Sequence, residues 1–167
     1  SLSQPARQTV AKLNGAQASY NPPLAMDLVD HTNAAQAPQR WPLASVLVVD
    51  DEPGMRNFLE KSLAPRVAQV LSAESAEAAD ELVQRHRFDL VVLDISLPGR
   101  TGIEWLRDLR ERGHAFEVVL ITAFADLDTA IEALRAGAND FILKPFRVTQ
   151  ILNAVQHGLE GRTHGRI

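Results

Sequence analysis

A chain of 167 residues without cysteine has room for one ordinary domain plus an extension, and it excludes disulfides, thiolate zinc sites and cysteine nucleophiles. Apolar residues at 46% and charged residues at 23% fit a globular protein rather than a disordered or membrane chain, and no run of about 18 apolar residues is present to span a bilayer. A formal net charge of -4 argues against direct nucleic-acid binding, which needs clustered Lys and Arg, and the lack of an apolar block near residue 1 sets a cytoplasmic location as the expectation.

Residues 1–44 are rich in Ala, Gln, Asn, Ser and Pro; Asn21-Pro22-Pro23 breaks structure, and Trp41-Pro42 stands just before the first apolar run. This stretch reads as a flexible N-terminal extension, with Ser1-Leu2 as a cloning remnant and two short amphipathic pieces, 5–13 and 24–30, spaced to dock on the domain or on a partner. The folded domain is expected over 45–161, with a tail over 162–167.

Within the folded part, strand-like runs alternate with helix-spaced segments. The first run, 45–50 (SVLVVD), is followed by the stripe Met55, Phe58, Leu59 and Leu63. The second, 67–71 (VAQVL), leads to Ala79, Leu82 and Val83. The third, 89–94 (DLVVLD), precedes Ile103, Leu106 and Leu109, with Trp105 off that stripe and so expected to be partly exposed. After the fourth, 117–122 (EVVLIT), Asp126 and Asp128 stand at the start of a helix carrying Leu127, Ala130, Ile131 and Leu134. The fifth, 140–143 (DFIL), is followed by Val148, Ile151, Leu152, Val155 and Leu159.

Short, nearly continuous Val, Leu and Ile runs suit strands covered on both faces. Five strand and helix pairs in strict alternation predict an α/β fold: a five-stranded parallel sheet with helices on both faces, doubly wound and flavodoxin-like. In such a sheet, ligands bind beyond the carboxyl ends of the strands, where strand order reverses. Asp50 and Asp51 end the first run, Asp94 the third and Thr122 the fourth, and Lys144 follows the fifth, so all five arrive at one edge.

Two carboxylates about 4 Å apart repel by roughly 4 kcal/mol at an effective dielectric near that of a protein surface. A cluster of three therefore calls for a cation. Oxygen ligands without an Asp-x-Asp-x-Asp-Gly loop favour magnesium over calcium, and the absence of paired histidines at ligand spacing disfavours zinc. Magnesium beside a carboxylate, with a lysine and a hydroxyl nearby, supports phosphoryl transfer to that carboxylate. Asp94 is the favoured nucleophile, because Pro98, Gly99 and Gly102 turn the chain after it, whereas Asp50 and Asp51 run straight into Glu52-Pro53 and a helix. Glu52 reads as a helix-start carboxylate outside the site, and His114, His157 and His164 as solvated.

The segments VLVVDDEPGMR (46–56), DLVVLDISLPGRTGIE (89–104) and LITAFADLDTAIEALRAGANDFILKPF (120–146) closely resemble the receiver domain of bacterial two-component response regulators, over about 45–160 of the chain. The resemblance implies that Asp94 is the phosphoacceptor, that Asp51 ligates magnesium directly and Asp50 mainly through water, and that the backbone carbonyl of Ser96 completes the protein ligands. It further implies that Lys144 pairs with the acceptor and then the phosphoryl group, that Thr122 and Phe141 are the switch residues, and that Lys144-Pro145 is cis. Phe141 lacks the hydroxyl of a tyrosine, and the small Ser96 and Ala123 predict an accessible site.

The implied function is a phosphorylation switch and not an enzyme in its own right. A sensor histidine kinase donates the phosphoryl group, and the face of the fourth helix, fifth strand and fifth helix then engages an output domain, a partner or a second copy. TAFADLDTAIEA most resembles receivers of NtrC-like transcription activators, in which an ATPase and a DNA-binding domain follow; neither is in this chain, which reads as truncated after EGRTHGRI. The rival class is a magnesium-dependent aspartyl-phosphate phosphatase of the haloacid-dehalogenase type, whose Asp-x-Asp pattern fails here because residue 52 is Glu. A flavodoxin-like flavin site is disfavoured because DDEPG would repel phosphate.

Overall fold

The computed structural model of the protein describes residues 39–123 and 126–165, so the extension up to residue 38, with its pieces at 5–13 and 24–30, and the final two residues lie outside the described part. The strands are β1 (Trp41–Val49), β2 (Val67–Ala73), β3 (Leu90–Asp94), β4 (Glu117–Thr122) and β5 (Asp140–Leu143). The helices are α1 (Pro53–Leu63), α2 (Ala76–Arg85), α3 (Gly102–Glu111), α4 (Leu127–Arg135) and α5 (Val148–Gly165), and a 3-10 turn (Ala64–Arg66) links α1 to β2.

All neighbouring strands pair in parallel in the order β2-β1-β3-β4-β5. Strand residues alternate between two cores, as the period of two along a strand requires. Val46, Val48, Leu90, Val92, Val119 and Ile121 pack with Leu59 and Leu63 of α1 and Ile151 and Val155 of α5. Leu47, Val49, Val91, Leu93, Val118 and Leu120 face α2, α3 and α4. Strand order reverses between β1 and β3, which puts a crevice at the carboxyl ends of those two strands.

Three local features differ from the reading of the sequence. Strand β1 begins at Trp41, four positions before the expected Ser45; Trp41 pairs with Val67, and an irregularity in register between Trp41 and Ser45 absorbs Pro42, which has no N–H to give the ladder. Trp105 is fully buried rather than partly exposed. Helix α3 buries Gly102, Ile103, Trp105, Leu106 and Leu109, a wider face than a stripe of three leucine-type positions, and the indole N–H is satisfied by Asp80 Oδ1 of α2 at 3.1 Å. The α4 stripe turns outward: Leu127 and Leu134 are 75% and 60% exposed, and within the helix only Ala133 is buried. Small residues hold α4 to the sheet, because Ala133, Ala136 and Ala138 supply the contact.

Helix starts carry their own signals. Thr101 and Glu104 form a reciprocal capping box at α3, Ser75 caps α2, and Asp126 caps α4 through the N–H of Thr129 at 2.7 Å.

Candidate functional site

The carboxyl ends of the strands bring Asp50, Asp51 and Asp94 together, with one oxygen from each lying within 4.8 Å of the others. Asp50 and Asp94 are buried and Asp51 is exposed, so the cluster opens to solvent on one side. Asp50 directly follows β1, and its N–H donates to the carbonyl of Ala73 at 3.1 Å, which continues the β1–β2 ladder by one step. Its Oδ1 accepts the N–H of Glu52 at 2.8 Å, and its backbone carbonyl accepts Arg56 Nη1 at 2.7 Å. Arg56 escapes a reading based on carboxylates alone; its place one turn into α1 is the only signal.

Asp94 ends β3 with Oδ1 accepting the N–H of Ser96 at 2.9 Å. The loop beyond stays tied to the sheet, because Ile95 donates to the carbonyl of Ile121 at 3.0 Å and Gly102 donates to that of Ile95 at 3.0 Å. A Cβ on Gly102 would collide with the carbonyl oxygen of Asp94, so only glycine lets α3 begin this close to the end of β3. Gly102→Ala is expected to cost about 1–3 kcal/mol in urea unfolding, as overpacking of a rigid contact does.

Lys144 supplies the cation. Its Nζ lies 2.9 Å from Asp50 Oδ2, 3.2 Å from Asp94 Oδ2 and 3.6 Å from Glu52 Oε1. Its own N–H donates to the carbonyl of Thr122 at 2.8 Å, which joins the ends of β4 and β5, and the Lys144-Pro145 peptide is cis. Glu52, read as a helix-start carboxylate, is the N-cap residue of α1; its side chain makes no capping bond, is largely exposed and approaches Lys144 instead.

Burial pushes the Asp94 carboxyl up from its ordinary range; the Ser96 N–H opposes this, Asp50 adds to it and Lys144 opposes it. Burial alone would lower Lys144, but its hydrogen bond to Asp50, with the charges of Asp94 and Asp50, holds it above its ordinary value. The pocket is thus a lysine already committed to two carboxylates beside a third, with the Asp94 carboxyl made harder to ionise by its burial. Thr122 is fully buried at the β4 tip, Phe141 is half-buried against the α3 and α4 side of the core, and Ser96 and Ala123 are exposed at the rim. His114, read as solvated, is half-buried against Phe116; His157 is exposed.

Acidic residues at adjacent parallel strand tips, bridged by one lysine above a threonine and a glycine-cleared loop, define a phosphoacceptor module built on a doubly wound sheet. Residues 46–156 match the response regulator receiver domain family, and the chain belongs to it. It is 39% identical over 116 residues to the response regulator protein PilR of Pseudomonas aeruginosa, covering 70% of this chain and 26% of PilR. It is 35% identical over 115 residues to the regulatory protein AtoC of Escherichia coli, covering 69% of this chain and 25% of AtoC. The chain therefore spans about a quarter of the length of these curated relatives. Among solved structures it resembles NtrX from Brucella abortus (TM-score 0.69, 31% identity, 74% of this chain and 29% of that one). It also resembles the chemotaxis protein CheY4 of Vibrio cholerae (TM-score 0.67, 26% identity, 70% of this chain and 99% of that one). The receiver is most like those of NtrC-type regulators, and the phosphatase alternative finds no support.

Proposed function

We propose that Asp94 is the residue that takes the phosphoryl group, that Asp50, Asp51, Asp94 and the backbone carbonyl of Ser96 hold a magnesium ion, and that Lys144 and Thr122 receive the phosphoryl oxygens. The observation that carries this is the meeting of three carboxylates within 4.8 Å, of which Lys144 bridges only Asp50 and Asp94. Oxygen donors alone, one of them exposed, suit a hard divalent ion that keeps several waters. Such an ion supplies charge neutralisation at the phosphoryl oxygens.

An ionised Asp94 oxygen attacks the phosphorus of a phosphohistidine or of acetyl phosphate. The new O–P bond forms as the N–P or O–P bond to the leaving group breaks with its bonding pair; the imidazole of phosphohistidine then takes a proton from solvent, while acetate leaves as the anion. Lys144, already 3.2 Å from Asp94, then pairs with the phosphoryl oxygens, and the buried Thr122 hydroxyl donates to one of them. Incubation with acetyl phosphate and magnesium is expected to add one phosphoryl group per chain, detected as a mass increase, and EDTA is expected to abolish it. Repeated turnover of a phosphomonoester would instead favour a phosphatase.

The donor is read as a sensor histidine kinase, the setting as the cytoplasm, and the output as segments outside this chain, including an ATPase and a DNA-binding domain. The surface read as the switch face presents Leu127, Leu134, Leu143 and Val148 to solvent along α4, β5 and the start of α5. A face this apolar fits a second copy of the receiver or an output segment. Leu134→Glu is expected to weaken phosphorylation-dependent self-association about tenfold or more in sedimentation, without changing acetyl phosphate labelling.

A further inference from the structure

The opposite edge of the sheet carries a sequence echo that the phosphoacceptor chemistry does not use. His86-Arg87-Phe88-Asp89 leads into β3, and His114-Ala115-Phe116-Glu117 leads into β4. Because β3 and β4 are neighbours and pair in parallel, with Glu117 donating to the carbonyl of Asp89 at 3.0 Å, the two His-x-Phe units lie side by side. In each, the imidazole tilts against the phenyl ring, with centroids 6.0 Å apart for His86–Phe88 and 5.6 Å for His114–Phe116.

Between the two units is an open cavity of about 330 Å³, lined by His86, Arg87, Phe88, His114 and Phe116, within the size range of small-ligand sites. Phe88 and Phe116 are buried and form its floor, while His86 and Arg87 are exposed at its mouth. Of the residues lining it, Arg87 alone carries a formal charge, with Asp89 and Glu117 next in sequence to the two phenylalanines. Arg87 makes no ion pair among the described residues, whereas Asp89, the nearest acid in sequence, turns its Oδ2 to the N–H of Ser45 at 2.8 Å. Behind the floor, Arg110 lies over the Phe116 ring at 5.8 Å and donates to the carbonyls of His114, Phe116 and Gly137, so its charge is met by carbonyl oxygens rather than by a carboxylate in contact. Burial pulls its guanidinium below the ordinary value, and only the field of Glu117 opposes this.

Aromatic walls bind flat faces, and an unpaired guanidinium at the mouth binds carboxylate oxygens in a forked pair. We infer that this cavity is a binding site for a small aromatic carboxylate, its ring between the imidazoles of His86 and His114 above the buried Phe88 and Phe116 and its carboxylate on Arg87, at the end of the sheet remote from the three-carboxylate cluster.

The test is a titration of the isotope-labelled protein with salicylate and naphthoate, with benzamide as the uncharged comparison, followed by amide chemical shifts. Saturable shifts confined to residues 86–88 and 113–116 are expected, with much weaker binding of benzamide. Arg87→Gln should weaken binding about tenfold, as loss of a charge-assisted pair does, while Arg85→Gln, two residues earlier and outside the cavity lining, should not. Unchanged acetyl phosphate labelling of Arg87→Gln keeps a folding defect from being mistaken for a loss of binding. Absence of saturable shifts, shifts centred elsewhere, or equal affinity for benzamide or for Arg87→Gln would overturn the assignment.

Discussion

Asp94→Asn should reduce magnesium-dependent labelling by acetyl phosphate to background and, in the same sample without metal, raise the melting temperature. The first effect follows because an amide oxygen is a poor nucleophile and a weak ligand in a site proposed to hold the ion with the carboxylates of Asp50 and Asp51, which lie within 4.8 Å of Asp94. The second follows from linkage. Burial raises the Asp94 carboxyl in the folded protein above its unfolded value. A group with a raised folded value contributes stability below its unfolded pKa and loses that contribution as pH rises through the folded one. Above that raised folded value, ionised Asp94 is thus a burden on the metal-free fold, and a neutral isostere removes it. A gain of about 1 kcal/mol would shift the melting temperature by several degrees for a domain of this size. Saturating magnesium should narrow or reverse the difference, because an ion held by the proposed ligand Asp94 would bind the folded wild type better than the variant.

The largest loss of stability is expected from Trp105→Ala, at about 3–5 kcal/mol in urea unfolding, the range for emptying the volume of a buried aromatic ring. Trp105 is the bulkiest of the fully buried side chains, and its removal also strips Asp80 of one of its donors, leaving the contacts to Arg112 and Gln84. Trp105→Phe separates the two contributions: it keeps most of the volume and deletes the indole N–H, and about 1 kcal/mol is expected for a single hydrogen bond. Labelling of Trp105→Phe by acetyl phosphate should stay near wild type, because the ring lies in the α2–α3 layer rather than at the strand tips.

Much of the architecture was legible because the two periodicities are sharply separated. Runs such as VVLD and VVLIT carry no polar interruption, as strands shielded on both faces require, and the alternation with helix stripes leaves few topologies. The convergence of Asp50, Asp51, Asp94, Thr122 and Lys144 at one edge follows from strands that run parallel, so a one-dimensional order became a three-dimensional cluster with little additional information.

What was not legible depends on neighbours that the periodicity of one element does not encode. Trp105 was placed by its position off a three-residue stripe, yet α3 is covered on one side by the sheet and on the other by α2, where Asp80 accepts its N–H. Leu127, Ile131 and Leu134 have the spacing of a core stripe, but α4 meets the sheet through alanines. Pro42 hid the start of β1, because a proline in a strand is tolerated only where the ladder is already irregular. Arg56 and Arg110 serve backbone carbonyls, a role that no charge pattern reveals.

The most direct measurement is to locate the acyl phosphate itself. The protein labelled by acetyl phosphate in magnesium is reduced with borohydride, which converts a phosphorylated aspartate to homoserine, and the converted residue is read by tandem mass spectrometry. Conversion confined to residue 94 and lost when magnesium is chelated is the predicted result. Conversion at Asp50, Asp51 or any other carboxylate, or labelling of residue 94 that persists without a divalent ion, would contradict a metal-assisted acceptor at that strand tip.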